Sequence, residues 1–320
     1  MSEPASGRGG SALGAGLIAI SAAAFATLPI FGKLAYASGT EPFALLAWRF
    51  AIASVILVVT MVIRARIRHV PLFPPLRLSL TLLALGAFLL TPEVILFFVG
   101  LQTVSAGLAE TLLYLYPAWV VLIAAVVFRR KPSGITVACV AVAIVGAAIT
   151  VGAAAAGSVA SASWVGVAEV VGCSVLFATY LVVASRVLPR AGALPSTALV
   201  MTGAAATFVL LAVITGSRSP SDPQGWLGVL GMALIGTVVA FGLLSIGLAR
   251  IAPSTAAVIS TIEPVVAVVL GAVVLGETVG WAQIAGMALI LGSVAVLLWF
   301  ESRAGGEGQG ALVNPVAALE

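Results

Sequence analysis

Apolar runs follow one another along the whole chain, each closed by a short polar or charged gap. A helix that crosses a bilayer core needs about 20 mostly apolar residues. Ten runs of that kind can be laid down, at 12–34, 42–63, 78–100, 105–128, 134–153, 163–184, 195–215, 225–247, 254–275 and 281–300. The pattern predicts an all-α integral membrane protein with ten transmembrane helices. The ends, 1–11 and 301–320, are small, polar and Gly-rich, and are expected to be mobile tails.

Composition narrows the class. The chain is 62% hydrophobic and 8% charged, with a mean hydropathy of +1.23. A soluble domain of 320 residues would need many more charges to cover its surface. The net charge of +4 points to no nucleic-acid partner, because the basic residues sit in the gaps between apolar runs. Cys139 and Cys173 both fall inside apolar runs, so they build neither a disulfide framework nor a metal site, and packing is their expected role. The first run is too long for a signal-peptide core and continues past Pro29 to Lys33, so it is read as a retained helix.

Charge also orients the chain. With the N-terminus in the cytoplasm, the inner side receives Arg8, Arg64, Arg66, Arg68, Arg77, Arg129, Arg130, Lys131, Arg186, Arg190, Arg250 and Arg303. Of the 15 basic residues only Lys33 and Arg218, on the outer side, and Arg49, inside a span, fall elsewhere. Cytoplasmic loops carry the excess of Lys and Arg, so both termini are expected in the cytoplasm and the protein in the cell membrane. Trp164, Trp226 and Trp281 each open a helix at the outer interface, and Trp299 closes the last at the inner one.

The uncharged stretch AAAAGSVASAS at 153–163 splits the spans five and five. The two parts, 12–153 and 163–300, resemble each other. FAT occurs at 25–27 and again at 177–179, and at the same offset Gly14 meets Gly166. GLQTVSAGLAETLLYLYPAWVV from Gly100 aligns without gaps on GLARIAPSTAAVISTIEPVVAV from Gly247, which sets Pro117 on Pro264 and Tyr116 on Glu263. An odd number of spans per repeat makes the second repeat enter the membrane inverted. Inverted repeats are a hallmark of secondary transporters, whose sites lie at the repeat interface near the midplane.

The mid-helix proline with its small-residue tail, LGE at 275–277, AGMALILGSVAVL at 285–297 and LAWRF at 46–50 resemble the EamA family of the drug/metabolite transporter superfamily. The resemblance runs over roughly 12–300. It implies ten helices, a central cavity between the halves, and export or exchange of small metabolites. Gly-Glu often follows the fourth helix in that family, whereas this chain has Arg129-Arg130.

Five ionisable residues cannot be moved out of the spans: Arg49, Glu93, Glu110, Glu169 and Glu263. A charge at the centre of a membrane helix costs about 2.5–3.5 kcal/mol on insertion scales, so such residues face other helices or a wet cavity. At about 1.5 Å per residue, Arg49, Glu93, Glu110 and Glu169 lie roughly 8–10 Å inside the outer ends of their helices, and Glu263 is near the middle of the ninth. Arg49 is read as a structural ion pair with Glu93 or Glu110. The remaining carboxyls must be protonated, hydrated, hydrogen-bonded or matched by a cationic ligand.

Glu263 lines a cavity or serves as a structural hydrogen-bonding residue. Pro264 beside it frees the carbonyl four residues earlier, Ser260, and a free carbonyl at that depth is tolerated only against protein or water. Pro29, Pro92 and Pro117 are further expected kinks, as packing features or as hinges. Glu110, Tyr114 and Pro117 share one helix face, with Tyr116 and Trp119 close by. An aromatic patch beside a carboxylate suits an organic amine, and a plain packed cluster fits as well.

No Walker loop is present. The only histidine, His69, and the only aspartate, Asp222, lie in loops, so neither ATP-driven transport by this chain nor a membrane-embedded hydrolase is indicated. The chain is read as a secondary transporter without cofactor or metal. It would move a small organic metabolite, amino acid or amine in kind, by export or proton-coupled exchange with alternating access. A passive facilitator of the same fold and a non-transporting channel or sensor component remain open.

Overall fold

A computed structural model describes residues 8–127, 133–155, 163–248, 250–251 and 253–304. Arg129, Arg130 and Lys131, most of the 153–163 divider, and most of both tails lie outside the described residues. Helices satisfy their own backbone groups, which is why a chain this apolar is built from them. The described residues form α1 (Ala12–Ala37), α2 (Pro42–Arg68), α3 (Leu76–Gly100), α4 (Ala106–Leu113 with Tyr116–Val127) and α5 (Gly134–Ala155). They continue with α6 (Trp164–Arg190), α7 (Ala193–Thr215), α8 (Pro223–Leu248), α9 (Pro253–Ser260 with Ile262–Leu275) and α10 (Trp281–Ala304). Among the described residues nine helices are long and apolar enough to cross a membrane, and Ile262–Leu275 is the shorter apolar part of a tenth.

The packing partners reveal the repeat. α2 lies on α7, α4 on α9 and α5 on α10, while α1 packs against α8 and α3 against α6. Adding five to each helix number returns the same set of pairs, so the bundle is pseudo-symmetric. Small residues set the closest approaches, as expected where lipid removes the hydrophobic drive between helices. A Cβ at Gly100 on α3 would stand 3.0 Å from the Gly166 carbonyl oxygen on α6, and one at Gly166 would stand 3.2 Å from that of Gly100. The counterpart contact joins α1 to α8. There a Cβ at Gly14 would stand 3.4 Å from the Gly247 carbonyl oxygen, and one at Gly247 3.2 Å from that of Gly14. These are the four glycines that the sequence alignment paired.

Four helices are irregular beside their prolines. α1 breaks at Ala26–Thr27, ahead of Pro29, and α4 breaks at Tyr114–Leu115, ahead of Pro117. α9 breaks at Thr261, ahead of Pro264, and Pro92 on α3 follows a stretch of wide i→i+5 turns at Gly86–Leu90. α8 carries a longer wide-turned stretch, Gly231–Val239, with no proline to announce it. In both wide stretches a threonine hydroxyl donates to the carbonyl five residues back, Thr91 to Gly86 and Thr237 to Met232, each at 2.9 Å.

Candidate functional site

α4 and α9 cross where both are broken. Pro264 has no N–H to donate to the Ser260 carbonyl, and the chain supplies a substitute from the other repeat. The Tyr114 hydroxyl lies 2.6 Å from the Ser260 carbonyl oxygen and 3.0 Å from Glu263 Oε2. A phenol carries one proton. When that proton is on the carbonyl bond, Glu263 bonds to the phenolic oxygen only by donating a proton of its own. When Glu263 is ionised it competes for the Tyr114 proton. Tyr114 is buried, and Glu263 and Ser260 are half-buried residues, so the carboxyl is anchored at the crossing of the two helices.

Aromatic rings continue the site toward α6. Tyr116 meets Tyr114 edge-on at 5.8 Å between centroids and Phe177 at 4.9 Å, and Phe177 lies nearly parallel to Tyr180 at 6.4 Å. Trp119 has a structural part: its Nε1 donates to Ser174 Oγ at 3.0 Å, tying α4 to α6.

Two further carboxyls lie close by. Glu110, one turn before Tyr114 on α4, is 2% exposed, and its Oε2 has no hydrogen-bond partner among the described residues. Glu93 on α3 is buried and accepts from the Cys173 thiol at 3.3 Å. Glu110 lies within electrostatic reach of both Glu93 and Glu263. Glu169 stands apart, half-buried on α6, with its Cβ beside Gly100.

Arg49 is where the sequence reading and the geometry part. It is buried, but among the described residues its guanidinium makes no ion pair with Glu93 or Glu110. Nε donates to Thr237 Oγ1 at 3.1 Å, and the guanidinium sits over the rings of Phe50 (4.9 Å) and Phe98 (5.5 Å). The wide turns of α8 present Thr237, and two aromatic faces take up the charge. Glu93 remains near enough to be felt electrostatically.

At the α4 N-terminus an open hollow of about 850 Å³ is lined by Lys33, Gln102, Thr103, Val104, Ser105, Ser163 and residues 275–278. Glu277 is part of that lining and is held by the helix start. The Ala106 and Gly107 amides donate to its two oxygens at 2.8 and 3.4 Å, Lys33 Nζ is 3.8 Å away, and Ser105 Oγ accepts from the Leu108 amide. The free amides of a helix start and the macrodipole both favour a carboxylate there.

A family model described as "EamA-like transporter family" matches the chain twice, over residues 12–152 and 164–299. The chain belongs to the EamA-like transporter family. It is thus a small-molecule membrane transporter of the drug/metabolite superfamily and not an enzyme. It is similar to the "Uncharacterized transporter YcbK" of Bacillus subtilis, 29% identical over 86% of this chain and 89% of that one. It is also similar to the "Uncharacterized transporter sll1319" of Synechocystis sp., 25% identical over 66% of this chain and 64% of that one. A solved structure described as "Crystal structure of protein" shares the fold, with a TM-score of 0.59 and 21% identity over 91% of this chain and 99% of that one.

The transporter therefore gathers Glu263, Ser260, Tyr114 and Tyr116 at one crossing, with Glu110 and Glu93 close by. It gives Trp119 and Arg49 bonds of their own and leaves Glu169 outside. Sequence reasoning missed Phe177, Tyr180, Thr237 and Glu277, and gave Cys173 a packing role only. Two of these carried a signal, since Phe177 opens the repeated FAT and Glu277 closes LGE.

Proposed function

We propose that the transporter exchanges a small organic cation or amino acid for protons across the cell membrane, with both termini in the cytoplasm. The units 12–153 and 163–300 would rock about the α4–α9 crossing to expose it to either side in turn. The observation that carries this reading is Glu263, a carboxyl at a helix break in the middle of the bundle, held by Tyr114 of the opposite repeat. An ammonium group would find a carboxylate there, with the rings of Tyr116 and Phe177 nearby for cation–π attraction. Proton and ammonium compete for one carboxyl, and the Tyr114 proton moves with the outcome. A thermal-shift screen of the purified protein against amines, amino acids, nucleosides and simple carboxylic acids tests the substrate class. Stabilisation by amines or amino acids, weakening as the pH falls, is expected. Stabilisation only by nucleosides or carboxylic acids would contradict it.

A further inference from the structure

Three carboxyls, Glu93, Glu110 and Glu263, are buried or half-buried together, and the cation nearest them, Arg49, is hydrogen-bonded to Thr237. Carboxyls that feel one another's charge in a low-dielectric interior do not all ionise. Each has different surroundings. Glu93 accepts from Cys173 and lies in the field of Arg49. Glu263 is bonded by Tyr114 and partly exposed. Glu110 is almost wholly enclosed, with a carboxyl oxygen that meets no donor.

Leaving a buried charged oxygen without a donor is more costly than leaving a neutral one. Among the described residues, the titratable groups whose charge reaches Glu110 include no cation: they are Glu93 from α3, Cys173 from α6, Glu263 from α9, and Tyr114 from its own helix. α10 contributes Gln283, whose Nε2 points at the preceding turn of α4 and whose Oε1 is also without a partner. α5 carries no charged side chain among its described residues, and Lys33 of α1 is held at the hollow by Glu277.

We propose that Glu110 is a resident proton site of the transporter, neutral in this conformation and supplied from the hollow at the start of α4. Helix α4 leads from that hollow, which Val104 and Ser105 line, to Glu110 and then one turn further to Tyr114 and Glu263. A proton arriving from water in the hollow converts the Glu110 carboxylate to a carboxylic acid. Neutral Glu110 removes the like-charge neighbour that would oppose an ionised, cargo-holding Glu263. That last consequence rests on the reading of Glu263 as the cargo ligand, whereas the proton site itself does not.

The test therefore uses the full chain in lipid with no cargo. Infrared spectra over a pH titration, in H2O and D2O, follow the C=O stretch of protonated carboxyl groups in apolar surroundings. The wild type should show such a band at neutral pH. Glu110→Gln should lose it, and Glu263→Gln should keep it. Glu110→Asp covers the case in which Glu110→Gln misfolds, and should retain the band at a displaced frequency. A band unchanged in Glu110→Gln, removed only by Glu263→Gln, or not displaced in Glu110→Asp would overturn the assignment.

Discussion

Tyr114 has one hydroxyl proton and two acceptors within 3.0 Å, and much of the site's behaviour follows from that. Removing the hydroxyl leaves the Ser260 carbonyl, freed by Pro264, without its donor. Tyr114→Phe should therefore lower stability by about 1–3 kcal/mol, the usual penalty for an orphaned buried polar group. It should also loosen Glu263. A reduced melting temperature of the purified variant, together with weaker protection by an amine ligand, is the expected result. An unchanged melting temperature would mean that the Ser260 carbonyl finds water instead. The acidic residues stand out in the sequence because a lone Glu in an apolar run must face protein or water and not lipid. Their partners were less so. Arg49 was expected against a carboxylate, since charge pairing is the obvious remedy in a span. Thr237 and the rings of Phe50 and Phe98 gave no such signal, because threonine and phenylalanine are ordinary in any membrane helix.

Helix positions and most interruptions were readable for the same physical reason. Span length is fixed by the bilayer, and proline marks each break that it causes. The wide-turned stretch of α8 has no proline to mark it in the sequence. Within it Thr237 donates to the carbonyl of Met232 and accepts from Arg49 of α2, contacts that a hydropathy pattern does not record. Glycine matters where two helices touch backbone to backbone. On α10, a Cβ at Gly286 would come within 2.5 Å of the Gly146 carbonyl oxygen on α5, whereas one at Gly292 would meet nothing within 4 Å. Gly286→Ala should destabilise the transporter by about 1–3 kcal/mol through overpacking. Gly292→Ala should be neutral or slightly stabilising, because alanine is the better helix former. Thermal unfolding of the two variants in the same detergent checks the difference. Equal melting temperatures would show that α5 and α10 do not pack this closely.

The whole molecule was the most legible level. Five spans per repeat, the Gly14/Gly166 and Gly100/Gly247 correspondences and the Pro117/Pro264 match all lie in the sequence, and the helix pairing carries the same pseudo-symmetry. What the sequence did not contain was depth. It put Glu110 and Glu169 at similar levels, yet one is almost wholly buried on a helix that packs against α6 and α9, and the other lies half-buried beside Gly100. The symmetry relates Tyr116 to Glu263 by alignment, and the contact is made by Tyr114, a neighbour two residues away. The proposed cycle turns on Glu263 binding either a proton or a cationic cargo at this crossing. The measurement that bears on it most directly is uptake of a radiolabelled amine, chosen from the thermal-shift screen, into proteoliposomes with and without an imposed pH gradient. Wild-type protein should accumulate the amine at least tenfold more with the gradient, which corresponds to about 1.4 kcal/mol of coupling. Glu263→Gln should lose that gradient response while remaining folded, since Gln keeps the shape and can still bond to Tyr114. A Glu263→Gln transporter that responds to the gradient as the wild type does would contradict the account.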